Sequence, residues 1–258
     1  RGGGDIASGI AYRLKKSGFQ VVILEIEKPR HVRRTVSYAQ AIYDGECTVE
    51  GIRAVKAESI NHLYTILENG DIPVLIDGKG ESIVRLGPTG VVDAILAKRN
   101  SGTSKTMAPI VIGIGPGFEA GRDVDAAVET NRGHFLGRVI WSGKAQDNTG
   151  IPGEVRGYTE ERVIRANADG VVQPLKYIRE IVEEGEVAAR VNGPDSRARI
   201  SGVVRGMINP GVEVHKGCKI GDIDPRRLPS YCDTLSDKAL SVGGGVLEAI
   251  LCLLAKEG

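Results

Sequence analysis

Apolar positions in the first half of the chain alternate between helical spacing and short solid runs. Ile6, Ile10 and Leu14 recur on one face with Lys15 and Lys16 outside it, which predicts a helix from Ile6 to Ser17 stopped by Gly18. The unbroken run from Gln20 to Leu24 predicts a buried strand that ends at Glu25. Ser59 to Glu68 reads as a second helix and Ile72 to Asp77 as a strand, while Gly90 to Ala97 reads as a strand or a short helix. Pro109 to Ile112 is a buried strand running into Gly113, Gly115 and Gly117, and Val124 to Val128 is a further strand-like stretch. Alternating strands and helices predict an α/β fold with a Rossmann-like parallel sheet. The first glycine turn, at Gly2 to Gly4, has no strand in front of it, and such a turn implies a short hydrophobic strand there.

The second half changes pattern. Sliding the chain by 32 residues lays 165–192 on 197–224 without a gap, with seven identities in 28 positions. Gly170-Val171-Val172 meets Gly202-Val203-Val204, and Gly185 meets Gly217. Short β units of this length bury little alone and must pack on each other. The arrangement resembles the flattened two-fold barrel of biotinyl and lipoyl carriers, the barrel-sandwich hybrid. Such carriers present a lysine at the hairpin joining the halves; the corresponding Asn192-Gly193-Pro194-Asp195 has none, which argues against a swinging-arm carrier. In the tail, Gly243 to Gly245 is expected as a turn before an amphipathic helix, serving as an anion seat or as a hinge. The expected division is a nucleotide- or cofactor-binding domain at 1–137, a mainly β domain at 138–229, and a glycine-rich turn with the C-terminal helix at 230–258.

Candidate ligand residues cluster at strand ends. Gly2, Gly4 and Ala7 fit the G-x-G-x-x-A pattern of a dinucleotide turn, so Gly2, Gly3, Gly4 and Asp5 are expected at a phosphate. Glu25 lies 23 positions beyond Gly2, near where such folds place an acid on a ribose hydroxyl. A basic run follows (Lys28, Arg30, His31, Arg33, Arg34), and Arg33 and Arg34 are expected on phosphates of a nucleotide or pterin dinucleotide. Gly113, Gly115 and Gly117 form a second turn expected to flank the same cleft. The bland readings stay open: a tight turn that binds nothing, and a solvated basic helix face. Glu129-Thr130-Asn131-Arg132-Gly133-His134 reads as an acid–base or oxyanion group, or as an ordinary charged turn.

Composition removes several functions. Lys+Arg of 34 against Asp+Glu of 33 leaves a net charge of +1, so no global field recruits nucleic acid or a membrane. Aromatic residues, at 4%, are too few for a base-stacking surface. No apolar run of bilayer length is expected, because VLEAILCLLA is short and interrupted by Glu248. Cys47, Cys218, Cys232 and Cys252 show no metal-ligand spacing and read as reduced thiols of a cytoplasmic protein. With His31, His62, His134 and His215 scattered, no metal is expected, and no catalytic set is legible.

Several motifs together carry a resemblance: RGGGDIASG, LEIEKPRHVRRTVSYAQAIYDG, PIVIGIGPGFEAGRDVDAAVETNRGH, LGRVIWSG and SDKALSVGGGVLEAI. With these, the chain resembles the accessory-protein family of selenium-dependent molybdenum hydroxylase systems. The resemblance implies a maturation role beside such a hydroxylase, handling a molybdopterin-type cofactor, its cytosine dinucleotide form, or the selenium or sulfur ligand of the metal. No cysteine sits in an evident activating setting, Cys218 between Lys216 and Lys219 coming nearest, so cofactor binding is favoured over sulfur transfer. The alternatives are an NAD(P)-dependent oxidoreductase, with Glu25 on the ribose, and a non-catalytic protein docking on the hydroxylase. A homo-oligomer is compatible with each.

Overall fold

The computed structural model describes residues 1–257. The chain divides into two compact units. The first takes Arg1–Glu27, Tyr38–Thr149 and the residues from Leu235 on; the second takes Lys28–Ser37 and Gly150–Thr234.

The first unit is mixed α/β. Its helices are α1 (Asp5–Lys16), α2 (Ala41–Asp44), α3 (Ile60–Glu68), α4 (Ile83–Leu86) and α5 (Asp237–Glu257). Its strands are β1 (Ile23–Glu25), β2 (Glu46–Val49), β3 (Ile52–Ala57), β4 (Ile72–Ile76), β5 (Gly90–Asp93), β6 (Ile110–Ile114), β7 (Glu119–Ala120), β8 (Ala126–Val128), β9 (Val139–Ile140) and β10 (Gly143–Lys144). One sheet runs β1-β4-β3-β2, and another runs β5-β6-β8-β9. In each, three strands are parallel and the far edge strand, β2 or β9, is antiparallel. Every residue of β6 is buried, as a solid Ile/Val run in a sheet covered on both faces requires. The hairpin of β2 and β3 has no counterpart in the sequence reading, because its half-exposed residues give no clean alternation.

The tail departs from expectation in a second respect. Gly243 to Gly245 is no turn; it lies inside α5, which starts at Asp237. The reason is close packing. A Cβ on Gly243 would lie 2.7 Å from the Gly9 carbonyl oxygen, and one on Gly245 would lie 2.1 Å from that of Gly137. Gly9 faces Ala239 of α5 in the same way, with a Cβ there 2.6 Å from its oxygen. Bare glycine lets these backbones touch, at a cost of about 1 kcal/mol of helix propensity per residue. Contrary to expectation, Pro229–Lys256 is apolar enough over 18 residues, at a mean hydropathy of 1.7, to cross a bilayer by length and composition. Ala239, Val242, Val246 and Ala249 of α5 are buried in the protein.

The second unit is built from β11 (Val163–Arg165), β12 (Gly170–Pro174), β13 (Ile181–Val182), β14 (Val187–Val191), β15 (Asp195–Arg197), β16 (Gly202–Met207), β17 (Glu213–Val214) and β18 (Lys219–Asp224). The repeat read from sequence is the repeat of the fold, since the first residues of β12 and β16, of β13 and β17, and of β14 and β18 are 32 apart. The copies exchange strands. One antiparallel sheet runs β11-β18-β16-β13 and the other runs β15-β14-β12-β17, so each draws two strands from each copy. Val172, Val182, Val191, Val204, Val214 and Ile223 meet in one buried core.

Candidate functional site

The carboxyl ends of the parallel strands in the first unit form the candidate site. Gly2 N–H donates to the Leu24 carbonyl at 2.8 Å, beside the end of β1. A Cβ on Gly2 would sit 2.9 Å from the Ala94 oxygen, just past the end of β5, and its φ of +90° suits only glycine. The first glycine turn therefore lies where both sheets end, the edge at which open α/β sheets receive ligands.

Each residue of that turn has a distinct role. Gly3 N–H donates to Glu25 Oε2 at 2.8 Å, and its carbonyl accepts from Ala39 N–H at 2.8 Å. A side chain on Gly3 would run into Ala39. Gly4 differs: a Cβ there meets nothing within 4 Å, and Gly4 caps α1 with no side-chain hydrogen bond. Asp5 follows in the first turn of the helix. Glu25 Oε1 accepts from Ile26 N–H at 2.8 Å, so both of its carboxylate oxygens are engaged by main chain near the turn.

The second glycine turn is mainly a packing device. A Cβ on Gly113 would fall within 2.3 Å of the Phe118 ring, which is buried beside Val111 and Val124. Gly115 lies against the Thr130 hydroxyl, at 2.9 Å from its added Cβ. Gly117 faces the backbone of Ala97, Arg99 and Asn100. Because the loop after β5 touches Gly2 at Ala94 and Gly117 at Ala97, the chain itself runs against both turns at the place where a shared cleft was expected.

Arg33 and Arg34, expected on phosphates, belong to the second unit. There Arg33 Nη2 donates to the carbonyls of Tyr231 and Thr234 at 3.0 and 3.1 Å, and Arg34 Nε donates to that of Met207 at 2.7 Å. Val32 between Lys28 and Arg33 accepts from Met207 N–H at 2.9 Å, so this basic segment is a strap laid along β16.

The Glu129–His134 stretch is an organised turn. Glu129 is buried, accepting from the N–H groups of Thr130 and Asn131 at 2.7 Å each and from Gln146 N–H at 2.8 Å. Arg132 forks onto both oxygens of Asp237 at 2.7 and 2.9 Å, and the His134 ring meets Phe135 edge-on at 5.0 Å. A residue the sequence reading passed over stands here. Lys238, in the first turn of α5, is pushed below the ordinary lysine range by burial, against the opposing pull of Asp5 and with Arg132 and Glu129 also near. Its signal was lost because α5 was expected to start after Gly245. Asp93 was missed as well: at the end of β5 it is buried and holds the Arg1 guanidinium at 3.2 Å and the Thr103 hydroxyl at 2.5 Å.

A helix terminus without a side-chain cap and an open Gly4 can receive an anion through main-chain N–H groups. Among the described residues no group of three or more His, Cys, Asp or Glu is placed to hold a metal ion.

No family model matches the chain. It is similar to the protein YqeB of Escherichia coli K12, itself described as uncharacterized, with 50% identity over 254 residues. The alignment takes in 98% of this chain and 47% of that protein, so the chain spans about half the length of the curated relative it matches. Among solved structures, an aspartoacylase family protein of Mesorhizobium loti is similar at 17% identity over 25% of this chain and 23% of its own, with a TM-score of 0.23. A succinylglutamate desuccinylase of Silicibacter is similar at 24% identity over 32% and 27%, also with a TM-score of 0.23. Likeness of that degree carries no argument about this fold or its chemistry.

Proposed function

We propose that the first unit is a Rossmann-like binding unit whose glycine turn receives a phosphorylated nucleotide or a molybdopterin-type cofactor. The second unit, on this reading, is a barrel-sandwich-hybrid-like docking module, and the whole serves the maturation of selenium-dependent molybdenum hydroxylases in the cytoplasm. One observation carries the ligand reading: α1 begins at Gly4 with no side-chain cap, and a Cβ on Gly4 would meet nothing within 4 Å. The hydroxylase assignment rests on the motif resemblance. An NAD(P) reading is less supported, since Glu25 turns both oxygens to main-chain N–H groups.

Calorimetric titration with CTP and with molybdopterin cytosine dinucleotide tests the proposal, with NADPH as the competing ligand. Gly4→Asp is the informative variant, because its carboxylate would cap α1 and fill the anion's place. We expect that variant to melt no lower than the parent, since Asp caps a helix somewhat better than Gly, and to bind at least ~10-fold more weakly. Flat traces for the parent chain at high protein concentration would overturn the ligand assignment.

A further inference from the structure

The charges buried in the second unit do not balance where its basic strap meets β16. Arg33 Nη2 and Arg205 Nε both donate to the Tyr231 carbonyl, at 3.0 and 3.4 Å. Arg205 Nη1 stands 3.6 Å from Asp224 Oδ2, an oxygen that Arg226 Nη2 already takes at 2.6 Å. Three guanidiniums therefore form a row with Arg205 in the middle, each sharing one acceptor atom with the next. Arg226 is fixed from two sides. Its Nε donates to Asp224 Oδ1 at 2.9 Å, and its guanidinium carbon lies 4.4 Å from the centre of the Tyr231 ring. Asp224 is the carboxylate of the row. Asp222 is engaged by Arg162 and Lys219, at 3.2 and 3.0 Å, and Asp233 by the fork of Arg179, at 2.9 and 2.7 Å.

Arg205 is the residue left short. Its side chain is only 10% exposed. Yet of its five N–H donors only that on Nε makes a hydrogen bond among the described residues, and that bond is long. Burial first, then Arg33 and lastly Arg226, push its guanidinium down to about 10 against the pull of Asp222 and Asp224, so it stays charged at neutral pH. A buried charge with so little compensation is costly, and a missing ion is one physical account of it. We propose that the row of Arg33, Arg205 and Arg226 is an oxyanion site that takes a phosphate, with the terminal amino groups of Arg205 as its central donors. Three guanidiniums against one carboxylate leave an excess of two positive charges, which a phosphate dianion matches and a monocarboxylate does not. With Arg33, Arg205 and Asp224 all buried, the guest is a free phosphate ion or the phosphate end of a larger molecule. The site lies wholly in the second unit and does not rest on the reading of the glycine turn.

Thermal melts and calorimetry of the 258-residue chain test this at about pH 8, where phosphate is a dianion. The probes are inorganic phosphate, phenyl phosphate, acetate and potassium chloride at matched ionic strength. We expect the melting temperature of the parent to climb with phosphate but not with acetate or chloride. Arg205→Met, which removes the charge and keeps a long side chain, should bind phosphate at least ~10-fold more weakly and lose that climb. Arg205→Lys keeps the charge but not the fork, so it should bind with intermediate affinity, and it decides the matter if the Met variant fails to fold. Gly4→Asp should keep the whole response. Loss of the response in Gly4→Asp instead would move the phosphate to the glycine turn and overturn the inference. A parent that responds no more to phosphate than to acetate or chloride, or Arg205 variants that respond as the parent does, would overturn it as well. A response to inorganic phosphate alone upholds the site for a free ion, and a response to phenyl phosphate too upholds it for a phosphorylated molecule.

Discussion

At the residue scale, neighbouring glycines in α5 make opposite demands. Gly245 faces the Gly137 carbonyl at a distance no Cβ could keep, while a Cβ on Gly244 meets nothing within 4 Å. We expect Gly245→Ala to lower stability by about 2 kcal/mol through overpacking, and Gly244→Ala to raise it by up to ~1 kcal/mol through helix propensity. Denaturant melts of the two variants check this; similar effects from both would mean that α5 does not pack as described. The same contrast separates Gly3, shut in by Ala39, from Gly4, which is open and therefore the better candidate for ligand contact.

At the scale of elements, the strap from Lys28 to Ser37 is held by its arginines as well as by the fully buried Val36. Arg34 donates to Met207 O and to Asn209 Oδ1, at 2.7 and 3.0 Å. Arg34→Ala is expected to cost the second unit about 1 to 3 kcal/mol, and to leave nucleotide binding at the glycine turn unchanged. Loss of binding without loss of stability would return Arg34 to the phosphate role that its sequence position suggested. Arg162 is a stronger case. Buried with Asp222 at 3.2 Å, it also donates to the carbonyls of Gly153 and Ile223. Arg162→Ala should destabilise by about 3 kcal/mol, read from the chevron or equilibrium midpoint, because it strips a partner from a buried carboxylate.

At the scale of the whole molecule, the charge buried in the second unit sets an acid limit on folding. Burial would raise the Asp222 carboxyl, but Lys219 and Arg162 outweigh it and hold it below the ordinary range; Asp224 is likewise held low, by Arg226 above all. A carboxylate depressed in the folded state favours folding above its unfolded pKa of about 3.9, and that contribution is lost as pH falls through the lower folded value. Melting temperature should therefore decline below about pH 4. Asp222→Asn, already less stable at neutral pH, should show a shallower decline; an unchanged slope would mean other groups govern it.

How much was legible follows from how local each signal is. The helix at Asp5–Lys16, the strand at Ile72–Ile76, the solid run of β6 and the 32-residue repeat were readable because periodicity and self-similarity are properties of adjacent residues. The sequence by itself determined these elements, their alternation, and the glycine turn at the head of α1. What only the tertiary structure decided was which neighbour each special residue serves. Gly113 answers to Phe118, Gly245 to Gly137, Arg33 to carbonyls of the second unit, and Lys238 gains its surroundings from Asp5, Arg132 and Glu129. Glycine and arginine look the same in a sequence whether they approach a ligand or another stretch of the same chain. Only the fold, through contacts between distant residues, tells the two apart.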